Sequence, residues 1–405
     1  MKNQLKLALK VLARRKFFTF VSLFGVTLTL GVLLVGSAML DQTFVPQGVE
    51  KDLDRTLTVR GIRLLRENSI MQTQAGYEFL ERHVRQMETP ERVAIFSNPQ
   101  KVASYRGSSR IELTLKRTDQ EFWNILDFDF IDGAPLSSED VNRANFVAVI
   151  NASTSRKLFG SERALGKWME LDGQRFRVIG VVRDVSSLQV AAFADVWVPI
   201  SATRSTAYKE GLSGPFMALI EARAKAEIPK VKEEFEAAVR SVEVPKEWDR
   251  FESYAETRFE SLARMGPTRS ATLLAAIIAS AMLLFMTLPA VNLVNLNLSR
   301  ILERASEIGV RKAFGASSRN LVGQFVTENV VLTLIGGLLG FLVAEAVLAV
   351  VNRTDLIPYA QLHVNVRVFG YAILLALAFG LMSGVYPAWK MSRLHPVEAL
   401  KGASR

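Results

Sequence analysis

Uncharged runs and periodic stretches alternate along the chain, and their lengths decide what each can become. Residues 17–40 hold 24 positions without a charge, residues 271–298 hold 28, residues 329–351 hold 23 with the single acid Glu345, and residues 368–388 hold 21. At about 1.5 Å of rise per residue, each run matches the roughly 30 Å hydrocarbon core of a bilayer. One such run fits the buried helix of a soluble protein; four in one chain predict four transmembrane helices. The first run is about twice the length of a secretory signal's apolar region, so it reads as an uncleaved anchor.

Between the first and second runs the period changes. Residues 56–59 alternate as a strand, 76–87 carry helical spacing, and 93–96 and 111–115 again alternate. Much later come a strand at 216–220, a strong helical pattern at 230–242 and a strand at 251–254. Two β-α-β units separated in sequence predict one ferredoxin-like layer interrupted by an insertion at about residues 117–205. The insertion is expected to be mostly β, with β-rich runs at 146–150 and 176–182 and a hairpin turn at Asp172-Gly173. A short helix at 153–159 should close at Gly160. Residues 248–264 otherwise look helical, so Gly266 and Pro267 mark either a kink in a stalk that enters the membrane or a plain linker. The expected fold class is an α-helical membrane protein with four transmembrane helices and a large extracytoplasmic α+β domain, a ferredoxin-like layer carrying a β-rich inserted subdomain.

Charge orients this arrangement. Lys2, Lys6, Lys10, Arg14, Arg15 and Lys16 precede the first run with no acid, residues 299–319 hold five basic and two acidic side chains, and residues 389–405 hold four and one. By the positive-inside rule both termini and the 299–319 loop are cytoplasmic, and the long 41–269 segment is outside. The chain then reads as a cytoplasmic segment 1–16, transmembrane helix 17–40, external domain 41–269, transmembrane helix 271–298 and cytoplasmic loop 299–320. Transmembrane helix 321–351, external loop 352–367, transmembrane helix 368–388 and cytoplasmic tail 389–405 complete it. Residues 2–14 are either an amphipathic helix on the inner leaflet or a simple basic flank. The three basic segments together exceed the whole-chain net charge of +10, so the remainder is net negative. The basic balance is therefore a topology signal, and no nucleic-acid partner is expected. Tyr386 and Trp389 fit an interfacial aromatic belt. Glu345 is costly inside a membrane and is expected to pack at a helix interface, ahead of a proton-transfer role or of reaching the headgroups.

Chemistry is sparse. The chain has no cysteine, and its three histidines, His83, His363 and His395, show no metal spacing, so no metal is expected. The one P-loop lookalike, residues 160–168, has five residues between its glycines and Trp168 where a Ser or Thr should bind Mg²⁺, so it is rejected. No catalytic residue is expected.

The informative polar stretch is 299–316, SRILERASEIGVRKAFGA. On a helix, Glu307 pairs with Arg304 and with Arg311, and Ile301, Ala305 and Ile308 share an apolar stripe. Gly309 and Gly315 each weaken the helix by roughly 1 kcal/mol relative to alanine, which isolates a short piece, 310–314, lying across the membrane surface. A charged, twice-broken cytoplasmic helix of this kind is suited to a partner protein.

The segments EIGVRKAFGAS at 307–317, QFVTENVVLTLIGGLLG at 324–340 and GVYPAWKMSRLHPVEALKG at 384–402 resemble MacB/FtsX-type permeases of ABC transporters. GAPLSSED at 133–140, FVAVINASTSRKLFG at 146–160 and ALGKWMELDGQRFRVIGVVRDV at 164–185 resemble the MacB-like periplasmic core domain. The resemblance covers nearly the whole chain. It implies a bacterial inner-membrane permease that works as a dimer, with the ferredoxin-like layer as the porter part of the external domain. It implies that Glu307, Ile308, Gly309, Arg311, Lys312, Ala313, Gly315 and Ala316 dock an ATPase. Some members carry that ATPase on the same chain; here a separate cytoplasmic ABC ATPase is expected to bind ATP and Mg, with no cofactor on this chain. A periplasmic adaptor and outer-membrane exit duct are further expected partners, along with membrane lipid. The function implied is mechanotransmission, ATP hydrolysis moving external domains to export or extract a periplasmic or outer-leaflet substrate. The alternatives are an FtsX-like regulator of a cell-wall hydrolase and a peptide or antibiotic sensor.

Overall fold

The structure is a computed structural model, which describes residues 10, 12–14, 16–266, 269–284, 287 and 318–392. The chain divides into two compact units, one of residues 42–271 with 357–360, the other holding the remaining helices.

The first unit is built on a twelve-stranded mixed sheet. Its strands are β1 Thr56–Arg66, β2 Ser69–Gln74, β3 Arg92–Ser97, β4 Gln100–Arg106, β5 Ser109–Thr118, β6 Phe130–Gly133, β7 Val147–Asn151, β8 Trp168–Leu171, β9 Gln174–Val182, β10 Val196–Pro199, β11 Phe216–Glu221 and β12 Arg250–Glu256. The main path runs β12-β1-β11-β3-β5-β10-β7-β9-β6, with β2 on β1, β4 on β5 and β8 on β9.

Its first four strands are antiparallel neighbours in the order expected of a split β-α-β layer. The crossovers are a helical segment at 77–84 and the Ile228–Arg240 helix. Val231 and Phe235 of the latter bury with Leu57, Val59, Ile62 and Leu64 of β1, two alternating pairs kept on one sheet face by a register shift between Val59 and Ile62. The opposite face, with Ala94, Phe96, Met217 and Leu219, packs on Phe122, Trp123 and Trp197.

The insertion is longer than its sequence pattern suggests. β3 ends at Ser97 and β11 begins at Phe216, so the interruption spans 98–215 rather than 117–205. The 111–115 run falls in β5, which pairs with β4 and runs parallel to β10. It meets β3 at one registered pair, Phe96 with Thr118, and so continues the same sheet instead of forming a separate subdomain layer. Alternation reveals a strand and its buried face but not its partner, which is why 93–96 and 111–115 look equivalent in sequence. Asp119 fastens this junction: its buried carboxylate accepts from Ile95 N at 2.7 Å and Phe122 N at 2.9 Å and pairs with Arg85. Burial pushes that carboxyl up, opposed by the Arg85 charge.

The Asp172-Gly173 turn has φ of 46° and 75°, and Leu171 pairs with Gln174, the two-residue left-handed geometry that suits a twisted hairpin. The Ala152–Phe159 helix is capped by Asn151, which accepts from Thr154 N at 2.7 Å, and closes at Gly160 with φ 67°.

Residues 248–264 are not one helix. Phe251, Ser253 and Ala255 alternate inward as β12, Thr257 caps with Glu260, and only Arg258–Met265 is helical. Gly266 then turns extended, φ −80° and ψ 173°, its N–H bonded to Leu262 O at 3.1 Å. A residue preceding proline is driven out of the helical region, so the stalk expected to continue into the membrane is interrupted at Gly266. Pro267 lies outside the described residues.

In the second unit, Lys16–Phe44 and Val326–Arg353 are long and apolar enough to cross a membrane, and Ala271–Leu284 and Val366–Ala378 are shorter apolar helical stretches. Gly336 and Gly340 of the Ser318–Arg353 helix approach the first helix so closely that a Cβ would lie 2.8 Å from Val26 Cγ1 and 3.0 Å from Leu30 Cβ. Gly337 faces Ile373 of the Val366–Ser392 helix with still less room. Small residues of this kind let apolar helices reach van der Waals contact where no hydrophobic drive exists.

Candidate functional site

The residues that sequence nominates for docking, Glu307, Ile308, Gly309, Arg311, Lys312, Ala313, Gly315 and Ala316, lie outside the described residues. Glu345 lies within them, half-buried on the Ser318–Arg353 helix, and its Oε1 accepts from Val364 N at 3.3 Å. Nearby, the Asn352 side chain both donates to Leu362 O and accepts from Leu362 N at 2.9 Å. Asn365 donates to Asp41 at 2.7 Å and accepts from Arg367 N at 2.9 Å, capping the last helix. The Arg367 contact satisfies a backbone group that the start of the helix leaves open.

The segment following Asn352 makes a contact that the sequence did not announce. Residues 357–360, between the last two apolar helices, fold onto the sheet unit. Ser187 N donates to Pro358 O at 2.9 Å, and the Tyr359 hydroxyl donates to Asp195 Oδ1 at 2.5 Å. The ring lies 6.2 Å from Phe193 and under Lys157 Nζ at 5.8 Å. Asp195 is buried and also accepts from Thr114 N at 2.7 Å and Asn151 Nδ2 at 3.3 Å. Burial and the Asp195 carboxylate both push the Tyr359 hydroxyl up. The available signal was modest: a Pro-Tyr pair in a short polar loop, an apolar ring with a polar tip suited to docking.

A second buried cluster gathers around the Arg258–Met265 helix. Arg258 lies 2.5 Å from Glu50 Oε2 and donates to Thr43 O at 2.9 Å, both side chains being well buried. Close by, Lys116 is fully buried, donating to Val190 O at 2.7 Å and Ala191 O at 2.5 Å and lying 5.3 Å from the centre of the Phe96 ring. Burial draws its ammonium down to about 7, with Glu50 opposing. The cluster joins the end of the first helix, the insertion and the last helix of the sheet unit, an arrangement that holds segments in register. Among the described residues no three His, Asp or Glu side chains gather as metal ligands.

The model of the family described as MacB-like periplasmic core domain matches residues 19–238, and that described as FtsX-like permease C-terminal matches residues 279–396. The macrolide export ATP-binding/permease protein MacB of Bdellovibrio bacteriovorus is 28% identical over 279 residues, 67% of this chain and 41% of its own length. The chain thus spans less than half of that relative. The uncharacterized ABC transporter permease YknZ of Bacillus subtilis is 23% identical over 413 residues, 98% of each chain. The solved periplasmic region of MacB from Actinobacillus actinomycetemcomitans aligns with a TM-score of 0.38 and 15% identity, over 52% of this chain and 92% of that one.

Proposed function

The chain belongs to the MacB-like periplasmic core domain family and carries an FtsX-like permease C-terminal region; from that membership as an ABC transporter permease we propose that it transmits force. In this reading a separate cytoplasmic ATPase hydrolyses ATP, and the permease, as a dimer, converts the cycle into movement of its external domains, driving export or extraction of a periplasmic or outer-leaflet substrate. The four apolar segments each span the inner membrane, with both termini inside and residues 41–269 outside. Glu307, Ile308, Gly309, Arg311, Lys312, Ala313, Gly315 and Ala316 form the ATPase dock, and Gly266-Pro267 is the stalk hinge.

The observation that carries the proposal is the pinning of residues 357–360 onto the sheet unit through Tyr359 and Asp195. That loop joins two apolar helices, so the external domain is tied to the membrane helices there as well as through its own two chain ends. The buried Arg258 to Glu50 pair supports the same reading, because it keeps two of those points together. A periplasmic adaptor and exit duct would complete an efflux assembly.

The test is co-purification from native membranes with identification of every bound chain. An ABC ATPase is the expected partner, with or without a periplasmic adaptor. Recovery of a cell-wall hydrolase or a histidine kinase in place of an exit assembly would favour the regulatory or sensing alternatives. Absence of any ATPase would refute the force-transmitting reading.

A further inference from the structure

A cavity of about 510 Å³ in the sheet unit opens beside the Arg258–Met265 helix. Arg60, Gln74, Asn98, Met217, Ser261 and Met265 contribute to its wall. No motif marks it in the sequence, yet four features of its construction point the same way.

First, the backbone is shaped to present Arg60. Val59 pairs with Ala255 but Ile62 pairs with Ser253, so β1 carries one extra residue against β12, a β-bulge at Arg60-Gly61. Bulges re-aim a side chain out of the regular ladder. Gly61 has no alternative there, because a Cβ would sit 2.5 Å from Thr73 O.

Second, Arg60 makes no salt bridge among the described residues, although Glu256 lines the same cavity. Its Nη1 donates only to the Met265 thioether at 3.4 Å, and its buried Nε has no acceptor among the described residues. The nearby carboxylates are taken: Glu256 pairs with Arg264, and Glu252 with Arg63 at 3.1 Å. Burial and the like charge of Arg258 draw the Arg60 guanidinium below its ordinary value, with the Glu256 carboxylate opposing. A desolvated cation with a sulfur for its only acceptor is expensive, and such groups are ordinarily paired.

Third, Ser261 is only 2% exposed, lines the same cavity, and its hydroxyl has no partner among the described residues. Fourth, apolar and polar groups divide the wall. Met217 and the exposed Met265 offer soft, adaptable contact, while Gln74 and Asn98 offer amides. Met265 also stands only a few residues before the apolar Ala271–Leu284 helix.

We propose that this cavity binds a phosphate oxyanion on the Arg60 guanidinium, with Ser261 as a second donor and the methionines against any attached apolar group. A guanidinium presents its donors as a fork that matches phosphate oxygens, which a strand arginine held by a bulge can do without reorganising. The phosphate is either that of an anionic lipid headgroup or a free one. The site stands on the cavity itself and does not depend on ATPase coupling.

The experiment is calorimetric titration of the full chain in non-ionic detergent with inorganic phosphate, with dihexanoyl-phosphatidylglycerol, and with zwitterionic dihexanoyl-phosphatidylcholine. Saturable binding of phosphatidylglycerol in clear preference to phosphatidylcholine and phosphate assigns the site to an anionic headgroup; binding of inorganic phosphate as tight as that of phosphatidylglycerol assigns it to free phosphate. Either way Arg60→Gln should weaken binding at least tenfold and Ser261→Ala several-fold, while Arg240→Gln, an exposed arginine elsewhere in the unit, should leave it unchanged. Because the unliganded protein carries a partly buried cation without a salt bridge of its own among the described residues, Arg60→Gln should also melt no lower than the parent, which separates lost binding from lost folding. Arg60→Lys, retaining charge without the fork, should fall between. No saturable binding of phosphate or phosphatidylglycerol by the parent chain, or equal binding by Arg60→Gln, overturns the proposal.

Discussion

Replacing Tyr359 with phenylalanine removes one atom from the contact that pins the 357–360 loop. The ring keeps its places beside Phe193 and Lys157, so the change removes the hydroxyl's short bond to Asp195 together with the long one it accepts from Lys157 Nζ at 3.5 Å. Asp195 retains Thr114 N and Asn151 Nδ2 as donors and is not left bare. A hydrogen bond to a charged acceptor contributes about 1.5–3 kcal/mol, so the loop's opening equilibrium should rise by about 10- to 150-fold. The amide of Ser187, which donates to Pro358 O, and that of Ala360, which donates to Ile357 O, report the opening directly. Hydrogen–deuterium exchange of the full chain in lipid nanodiscs should show both amides exchanging faster in Tyr359→Phe, with amides of β9 unchanged. If Ser187 and Ala360 exchange at parental rates, the hydroxyl contributes nothing to docking and the third tether is lost from the reasoning.

Other consequences are checked more briefly. Between the lowered native value of Lys116, about 7, and its ordinary 10.5, the unfolded chain binds a proton that the native chain does not, so stability should rise as pH rises through that window. Melting at pH 7 and pH 9 should show a gain of about 2 kcal/mol from this group, flattened in Lys116→Met; equal pH dependence in both would show that Lys116 titrates normally. Gly340→Leu forces a side chain into Leu30 and the Thr27 carbonyl and should destabilise the helical unit by about 1–3 kcal/mol in detergent melts. An unchanged melt would mean the helices are not packed at that glycine. Pro267→Ala should alter coupled turnover while leaving the melt of the sheet unit intact, and parental turnover would reduce the joint to a passive linker.

Much of this architecture was legible in the sequence because single segments carry their own signals. The Asp172-Gly173 turn, the Gly160 helix stop and the ferredoxin-like strand pattern all follow from local backbone preference or from period. Pairing across long separations did not follow. Nothing local tells 111–115 to join β10 instead of the first layer, and although alternation marks 251–254 as a strand, the same stretch also fits the helical pattern of 248–264, which the fold confines to Arg258–Met265. The same limit hid the site chemistry. Glu345 stands out because an acid within an apolar run is conspicuous, whereas Tyr359, Asp195, Arg60 and Ser261 are ordinary residues until the fold brings each to its neighbour or leaves it without one. A bulge such as the one at Arg60-Gly61 exists only against a partner strand and cannot be seen in a single segment.

The central claim, that the charged 299–320 loop receives the work of an ATPase, is tested most directly by ATP hydrolysis in a reconstituted complex. The full chain in nanodiscs with its ATPase should stimulate hydrolysis. The double change Glu307→Arg with Arg311→Glu should abolish that stimulation while expression and melting stay at the parental level. Undiminished stimulation by the charge-reversed chain would contradict the account.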